Sequence, residues 1–176
     1  MNDHNQNLIY QAIGEFVVSF QWIENKIREI GWFILDPNRS NWPPSELRKL
    51  TNENLINEVY RLFIYALPKC QLDRDLEIEL RKSFTSTVDA LHQLRRDRNR
   101  ILHSAYIELK AGNDVINLIR SNPKLAINEE DGEYLYDQEI LQPNSFQEEV
   151  LAMYEIQSVL NRIYLQLIHR YPISGS

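Results

Sequence analysis

Arg98-Asn99-Arg100-Ile101-Leu102-His103 brings an arginine, an amide and a histidine into six residues, directly after a second basic pair, Arg95-Arg96. A guanidinium can hold a phosphate in a bidentate grip. An imidazole can move a proton near neutral pH. Together they form a minimal kit for cleaving RNA without a metal. The same residues also fit an ordinary helix end, where cations complement the macrodipole. That bland account covers two arginines more readily than the four found between Arg95 and Arg100 against one aspartate, Asp97.

No other chemistry in the chain competes. His4, His92, His103 and His169 show no H-x-x-x-H or Cys/His spacing, so no metal site is expected. His92, eleven residues before His103, reads as a surface or half-buried residue. The single Cys70 can form no internal disulfide, and no CxxC pair exists. The five glycines are scattered and none gives G-x-x-x-x-G-K, so no phosphate loop and no cofactor are expected.

The elements that must position the motif are mostly helical. Ile9, Ile13, Phe16, Phe20, Ile23, Ile27, Ile30 and Ile34 recur at steps of three and four, which predicts a helix from about residue 6 to 35. Asp36-Pro37-Asn38 stops it, and a loop follows through Trp42-Pro43-Pro44. A second helix is expected over about 52–67, with Leu55, Val59, Leu62, Phe63 and Ala66 inward and Pro68 closing it. A third, about 73–104, carries Leu76, Leu80, Phe84, Val88, Leu91 and Leu94, so that its apolar face feeds into Arg98 and Leu102. The last begins at Ser145-Phe146-Gln147-Glu148, which has capping-box spacing, and runs through Val150, Tyr154, Leu160, Tyr164, Leu167 and Ile168 to about Tyr171 before Pro172.

Between 105 and 144 the period changes. Tyr106–Leu109 and Val115–Ile119 flank the turn sequence Ala111-Gly112-Asn113-Asp114, and Leu125–Ile127 and Tyr134–Tyr136 flank Asp131-Gly132. The expected fold class is therefore all-α: a four-to-five-helix antiparallel bundle with a small hairpin-like β insertion, about 105–140, before the last helix.

With 176 residues the chain fits a single domain (1–176), which at this size buries roughly 70% of its unfolded surface. At 43% hydrophobic and 25% charged it has an ordinary soluble composition. The polar start Met1–Asn7 lacks signal-peptide character, and no run approaches the ~20 apolar residues of a membrane span, so a reducing, cytoplasmic setting without membrane partners is expected. A net charge of −6 argues against a protein coated in nucleic acid; one focused basic patch, with acidic residues collected over 128–137, suits a phosphate gripped locally.

Arg98-Asn99-x-x-x-His103 at the end of a third bundle helix resembles the R-x4-6-H signature of HEPN-domain proteins, in its R-N-x-x-x-H form. Phe20-Gln21-Trp22-Ile23-Glu24 also resembles their opening helix, where an aromatic precedes an apolar-acidic pair. The likeness covers most of the helical chain, and the six-residue motif is its specific part. It implies an α-bundle that forms a homodimer with two motifs facing one cleft. Many such proteins are metal-independent ribonucleases in toxin–antitoxin or anti-phage defence. Others are inactive adaptors that bind a partner protein or nucleotide. One subgroup carries a tyrosine two residues after the histidine; here Tyr106 stands three after His103, so that chemistry does not transfer.

In the leading reading, His103, Arg98 and Asn99 are catalytic and the substrate is single-stranded RNA or a tRNA loop. The ribose 2′-OH attacks the adjacent phosphate, which needs a base, an acid and positive charge for the transition state. One His103 performs one proton transfer, and a two-fold dimer supplies the second. Arg98 supplies charge. Asn99, four residues before His103 on the same helix face, hydrogen-bonds the imidazole or the phosphate. Arg95, Arg96 and Arg100 bind RNA, and Tyr106 can stack on a base. Glu24 could orient Arg98 or be a solvated helix residue. The alternative is a silent helical dimer using the same groove for a partner protein or a nucleotide, an antitoxin or defence component among the protein partners. The acidic net charge leans that way.

Overall fold

The computed structural model describes residues 3–40, 44–127 and 134–172. Among these residues the chain is mostly helical, with five α-helices and a three-stranded antiparallel sheet that precedes the last helix. The helices are α1 (Asp3–Leu35), α2 (Ser45–Arg48), α3 (Asn52–Ala66), α4 (Arg74–Leu102) and α5 (Gln147–Arg170). The strands are β1 (Ala105–Ala111), β2 (Asp114–Ile127) and β3 (Tyr134–Ile140), in the order β1-β2-β3. No described helix is long and apolar enough to cross a membrane. The chain divides into two compact units, and α1, α4 and α5 contribute residues to both.

One unit holds residues 19–95 and 151–176. Its core comes from the expected stripes: Phe20, Ile23, Ile27 and Ile30 of α1, Leu55, Val59 and Phe63 of α3, and Leu80, Phe84 and Leu91 of α4 are all buried. Phe84 sits edge-on between Phe63, at 4.7 Å, and Tyr60, at 5.8 Å between ring centroids. Truncating such a ring to alanine typically costs about 3–5 kcal/mol. Gly31 sets the approach of α2 and α3 to α1, because a Cβ there would stand 2.8 Å from Val59 Cγ2 and 3.0 Å from Leu47 Cδ1. Helix starts are capped locally: Thr51 Oγ1 accepts from Asn54 N, and Asp73 Oδ1 accepts from Leu76 N. Pro68 closes α3 in a short 3-10 turn, Leu67–Lys69.

The other unit holds residues 1–18 and 96–150, and contains the motif and the sheet. Gly112, with φ of +64°, makes the β1–β2 turn that L-residues disfavour. β2 is one strand of 14 residues, where the turn signals suggested two separate apolar runs. Its pairing with β3 slips between Asn122 and Ala126, the stretch that contains Pro123, a residue with no N–H for the ladder. The Asp131-Gly132 turn lies outside the described residues. Phe16 of α1 meets Phe146 at 5.9 Å, and Glu108 of β1 accepts from Gln6 Nε2 at 2.8 Å and from Tyr10 at 3.3 Å.

Two local expectations are corrected. α5 starts at Gln147, not at Ser145, because the Ser145 hydroxyl accepts from Gln142 N at 2.8 Å and holds the preceding turn instead. On α4 the buried row runs through Leu80, Phe84, Thr87, Leu91, Leu94 and Ile101; Ile101 is fully buried, whereas Leu102 is 36% exposed.

Candidate functional site at the end of α4

The steps along that buried row are four, three, four and three, so the position between Leu94 and Ile101 is Arg98. Arg98 therefore takes an inward register and is half-buried. Arg96, Asn99 and His103 follow a three-four spacing on the opposite, outward face. Arg96 and His103 are exposed and Asn99 is half-buried. The two faces are joined by one bond: Arg98 Nη1 donates to Asn99 Oδ1 at 3.0 Å. Asn99 thus serves as an acceptor for Arg98, where a bond to the imidazole or to the phosphate was the expectation. His103 lies just past the helix, with its backbone N–H still bonded to Asn99 O at 3.1 Å. Its ring has no hydrogen-bond or ion-pair partner among the described residues.

Three of the last four carbonyls of the helix that leads to His103 have partners. An α-helix leaves its last four carbonyls without partners. Here Asn99 O accepts from His103 N, Arg100 O from the Ser104 hydroxyl at 2.5 Å, and Ile101 O from Ser104 N at 3.4 Å. Ile101 O also accepts from the Tyr106 hydroxyl at 2.9 Å. Tyr106 is half-buried, and that burial pushes its phenol above the ordinary range, with Arg120 pulling the other way and Glu139 adding to the rise. The phenol is held as a donor. Tyr106 accordingly ties β1 to α4 through its hydroxyl, which leaves the expected base-stacking role to its ring.

Behind this closure lies a residue that the sequence did not flag. Arg120 of β2 is 1% exposed. It stands directly opposite Tyr106 on β1 and Glu139 on β3, so the three share one row across the sheet. Its Nε and Nη2 donate to Glu139 Oε2 at 3.2 and 3.1 Å, and its Nη1 donates to Ser104 Oγ at 3.2 Å. The chain of donors runs from Arg120 to the Ser104 hydroxyl and on to the Arg100 carbonyl. The available signal was an arginine two residues beyond Leu118, at the inward parity of an apolar strand; Glu139 could not be matched to it without the strand register.

The remaining basic residues divide. Arg100 approaches Glu149 at 3.9 Å, a long and partly exposed pair of little energetic weight. Arg95 belongs to the other unit, where it bonds Glu53 of α3 at 3.1 Å. His92 also lies there, with Nε2 3.0 Å from Asn57 Oδ1, a structural contact. Glu24 is buried rather than solvated: Arg28 reaches its carboxylate at 2.5 Å, and the Asn52 amide, with its nitrogen turned towards Glu24, lies 3.2 Å from both oxygens.

Comparison with protein-family models, with curated proteins and with solved structures gives no match to this chain.

Proposed function

We propose that the protein is a metal-independent endoribonuclease of HEPN type, acting on single-stranded RNA or tRNA loops as a homodimer in a toxin–antitoxin or anti-phage role. With this goes the finer architectural reading, a four-to-five-helix antiparallel bundle that pairs about a two-fold axis. The observation that carries the proposal is His103, exposed and uncommitted at a firmly closed helix end, one turn beyond Asn99, whose amide is held by Arg98. An uncommitted imidazole can take or give a proton, and a guanidinium one turn away can meet a phosphate oxygen. The 2′-OH is activated by one His103, the 5′-oxygen leaves with a proton from the other, and Arg98 stabilises the charge between them.

The adaptor reading also has an observation in its favour: Arg95, Arg100 and Tyr106 each make a contact within the chain, to Glu53, Glu149 and Ile101. It predicts binding of a partner protein through the same surface with no turnover. Purified protein incubated with single-stranded RNA in EDTA separates the two. The nuclease reading expects cleavage with 2′,3′-cyclic phosphate or 3′-phosphate ends and no attack on DNA. Strict magnesium dependence, or cleavage of DNA, refutes the mechanism.

A further inference from the structure

We propose that Arg120, acting through Ser104, is a positioning residue that fixes the point at which His103 leaves α4. The proposal rests on the nuclease reading for its functional consequence. It names a part of the site outside the motif: a buried guanidinium on the middle strand of the sheet.

A guanidinium removed from water is unfavourable unless its donors are matched. Arg120 is 1% exposed, and its donors reach the Glu139 carboxylate and the Ser104 hydroxyl among other groups. A leucine at 120 would fill the same row beside Leu118 without that cost. It could not donate to Ser104. Ser104 in turn has one hydroxyl proton, and Arg120 supplies a donor to its oxygen so that the proton is directed to Arg100 O. Hydrogen bonds in such a chain polarise and strengthen one another. His103 is the residue immediately before Ser104, so whatever fixes Ser104 fixes the backbone from which the imidazole projects. Tyr106 adds a second tie from the same sheet row to the next carbonyl, Ile101 O. An exposed histidine on a frayed helix end would sample many positions; on this one its backbone is held from both sides.

Three variants test the proposal: Ser104→Ala, Arg120→Lys and Tyr106→Phe. Ser104→Ala removes the link while leaving Arg120 and Glu139 paired. Arg120→Lys keeps the charge but loses the planar fork that serves Glu139 and Ser104 at once. Displacing a reacting group by about 1 Å can cost roughly 100-fold in rate. Ser104→Ala and Arg120→Lys should therefore lower kcat by roughly 10- to 100-fold with KM for RNA unchanged, and Tyr106→Phe by less. Amide hydrogen exchange supplies a readout independent of turnover: the His103 and Ser104 N–H groups should exchange faster in these variants while Leu91 and Leu94 stay protected. Wild-type kcat in Ser104→Ala and Arg120→Lys overturns the proposal, as does a loss confined to KM. If the wild-type protein cleaves no RNA, the nuclease reading fails and exchange decides alone. Faster exchange at His103 and Ser104 then sustains the positioning role, and unchanged exchange overturns it.

Discussion

Two of the described helices carry an arginine and a histidine at or just past their C-terminal ends, and they end differently. α5 closes with His169-Arg170, and its terminal arginine folds back on the chain: Arg170 Nη1 donates to Gln71 O at 3.4 Å, and Gln71 N donates to Arg170 O at 3.1 Å. This is a cationic helix end complementing its own dipole and fastening a neighbouring loop. α4 closes on carbonyls capped by Ser104 and Tyr106, with a buried arginine behind them and His103 uncommitted in front. Basic residues in a last turn therefore do not distinguish a site from a terminus. His169 is as exposed as His103, so what distinguishes α4 is that polar groups inside the protein, Arg120 through Ser104 and Tyr106, hold the backbone that carries its histidine.

The largest effect that could break this comparison is on turnover. His103→Ala and Arg98→Ala should each abolish RNA cleavage, by at least the roughly 10²–10⁴-fold that general acid–base catalysis contributes. His169→Ala and Arg170→Ala should cleave at the wild-type rate. Equal losses at both helix ends, or full activity in His103→Ala on a clean preparation, would show that α4 and α5 differ in packing only. Asn99→Ala should fall between these limits, since it removes the acceptor that holds Arg98 without removing the guanidinium.

Next comes stability. Glu139 is 40% exposed, but its partner is buried, so Glu139→Ala withdraws a carboxylate from a guanidinium that water cannot reach. Hydrogen bonds to charged groups are worth about 1.5–3 kcal/mol, and a loss of that size should appear as a lower urea midpoint with an unchanged slope. Arg162→Ala breaks a shorter bond to Glu79, at 2.7 Å, but both side chains there are half exposed, and a loss of about 0–1 kcal/mol is expected. A larger loss at Arg162 than at Glu139 would mean that Arg120 is held chiefly by groups other than its carboxylate.

Sequence made the helical frame legible because its signals are local. The stripe from Ile9 to Ile34, and the prolines at 37, 68 and 172, act within a turn of the helix they begin or end. The motif was legible for the same reason, as six contiguous residues. The support beneath it was not, because Arg120 and Glu139 are 19 positions apart and become partners only once β2 and β3 have a register. Even the inward turn of Arg98 depended on whether Ile101 or Leu102 continues the buried row, a choice that neighbouring apolar residues leave open. Ser145 shows the opposite failure: a well-spaced capping signal was present, and the hydroxyl went to Gln142 instead.

A smaller effect concerns affinity. Arg96 is exposed on the same face as His103, whereas Arg95 bonds Glu53 in the other unit. Arg96→Ala should weaken RNA binding and reduce the dependence of log K on log salt by about 0.7 for a single-strand phosphate contact. Arg95→Ala should change that slope less and stability more. Filter binding or fluorescence anisotropy between low and moderate salt measures both slopes, and identical slopes in the two variants would remove Arg96 from the proposed RNA surface.

The smallest effect belongs to the α5 end, and Cys70 reports it. The thiol is buried, its Sγ lies 3.6 Å from Ala66 O, and it precedes the Gln71 that pairs with Arg170. Burial, with Glu77 adding to it, pushes the thiol up to about 11. A thiol raised in the folded state carries its full stability contribution below the unfolded value, ~8.5, and loses it as pH climbs towards the folded one. Stability should therefore decline between roughly pH 8.5 and 11, and the decline should weaken in Cys70→Ala. Native protein at neutral pH should react slowly with a thiol reagent, because little thiolate forms and the sulfur is enclosed. Arg170→Ala should quicken labelling and cost no more than about 1 kcal/mol, as partly exposed contacts do. RNA cleavage should be untouched, since the change is confined to a helix end that fastens a loop. Labelling of the wild type as fast as of the unfolded chain would show that the α5 end is open, and that its basic residues do less there than the comparison assigns them.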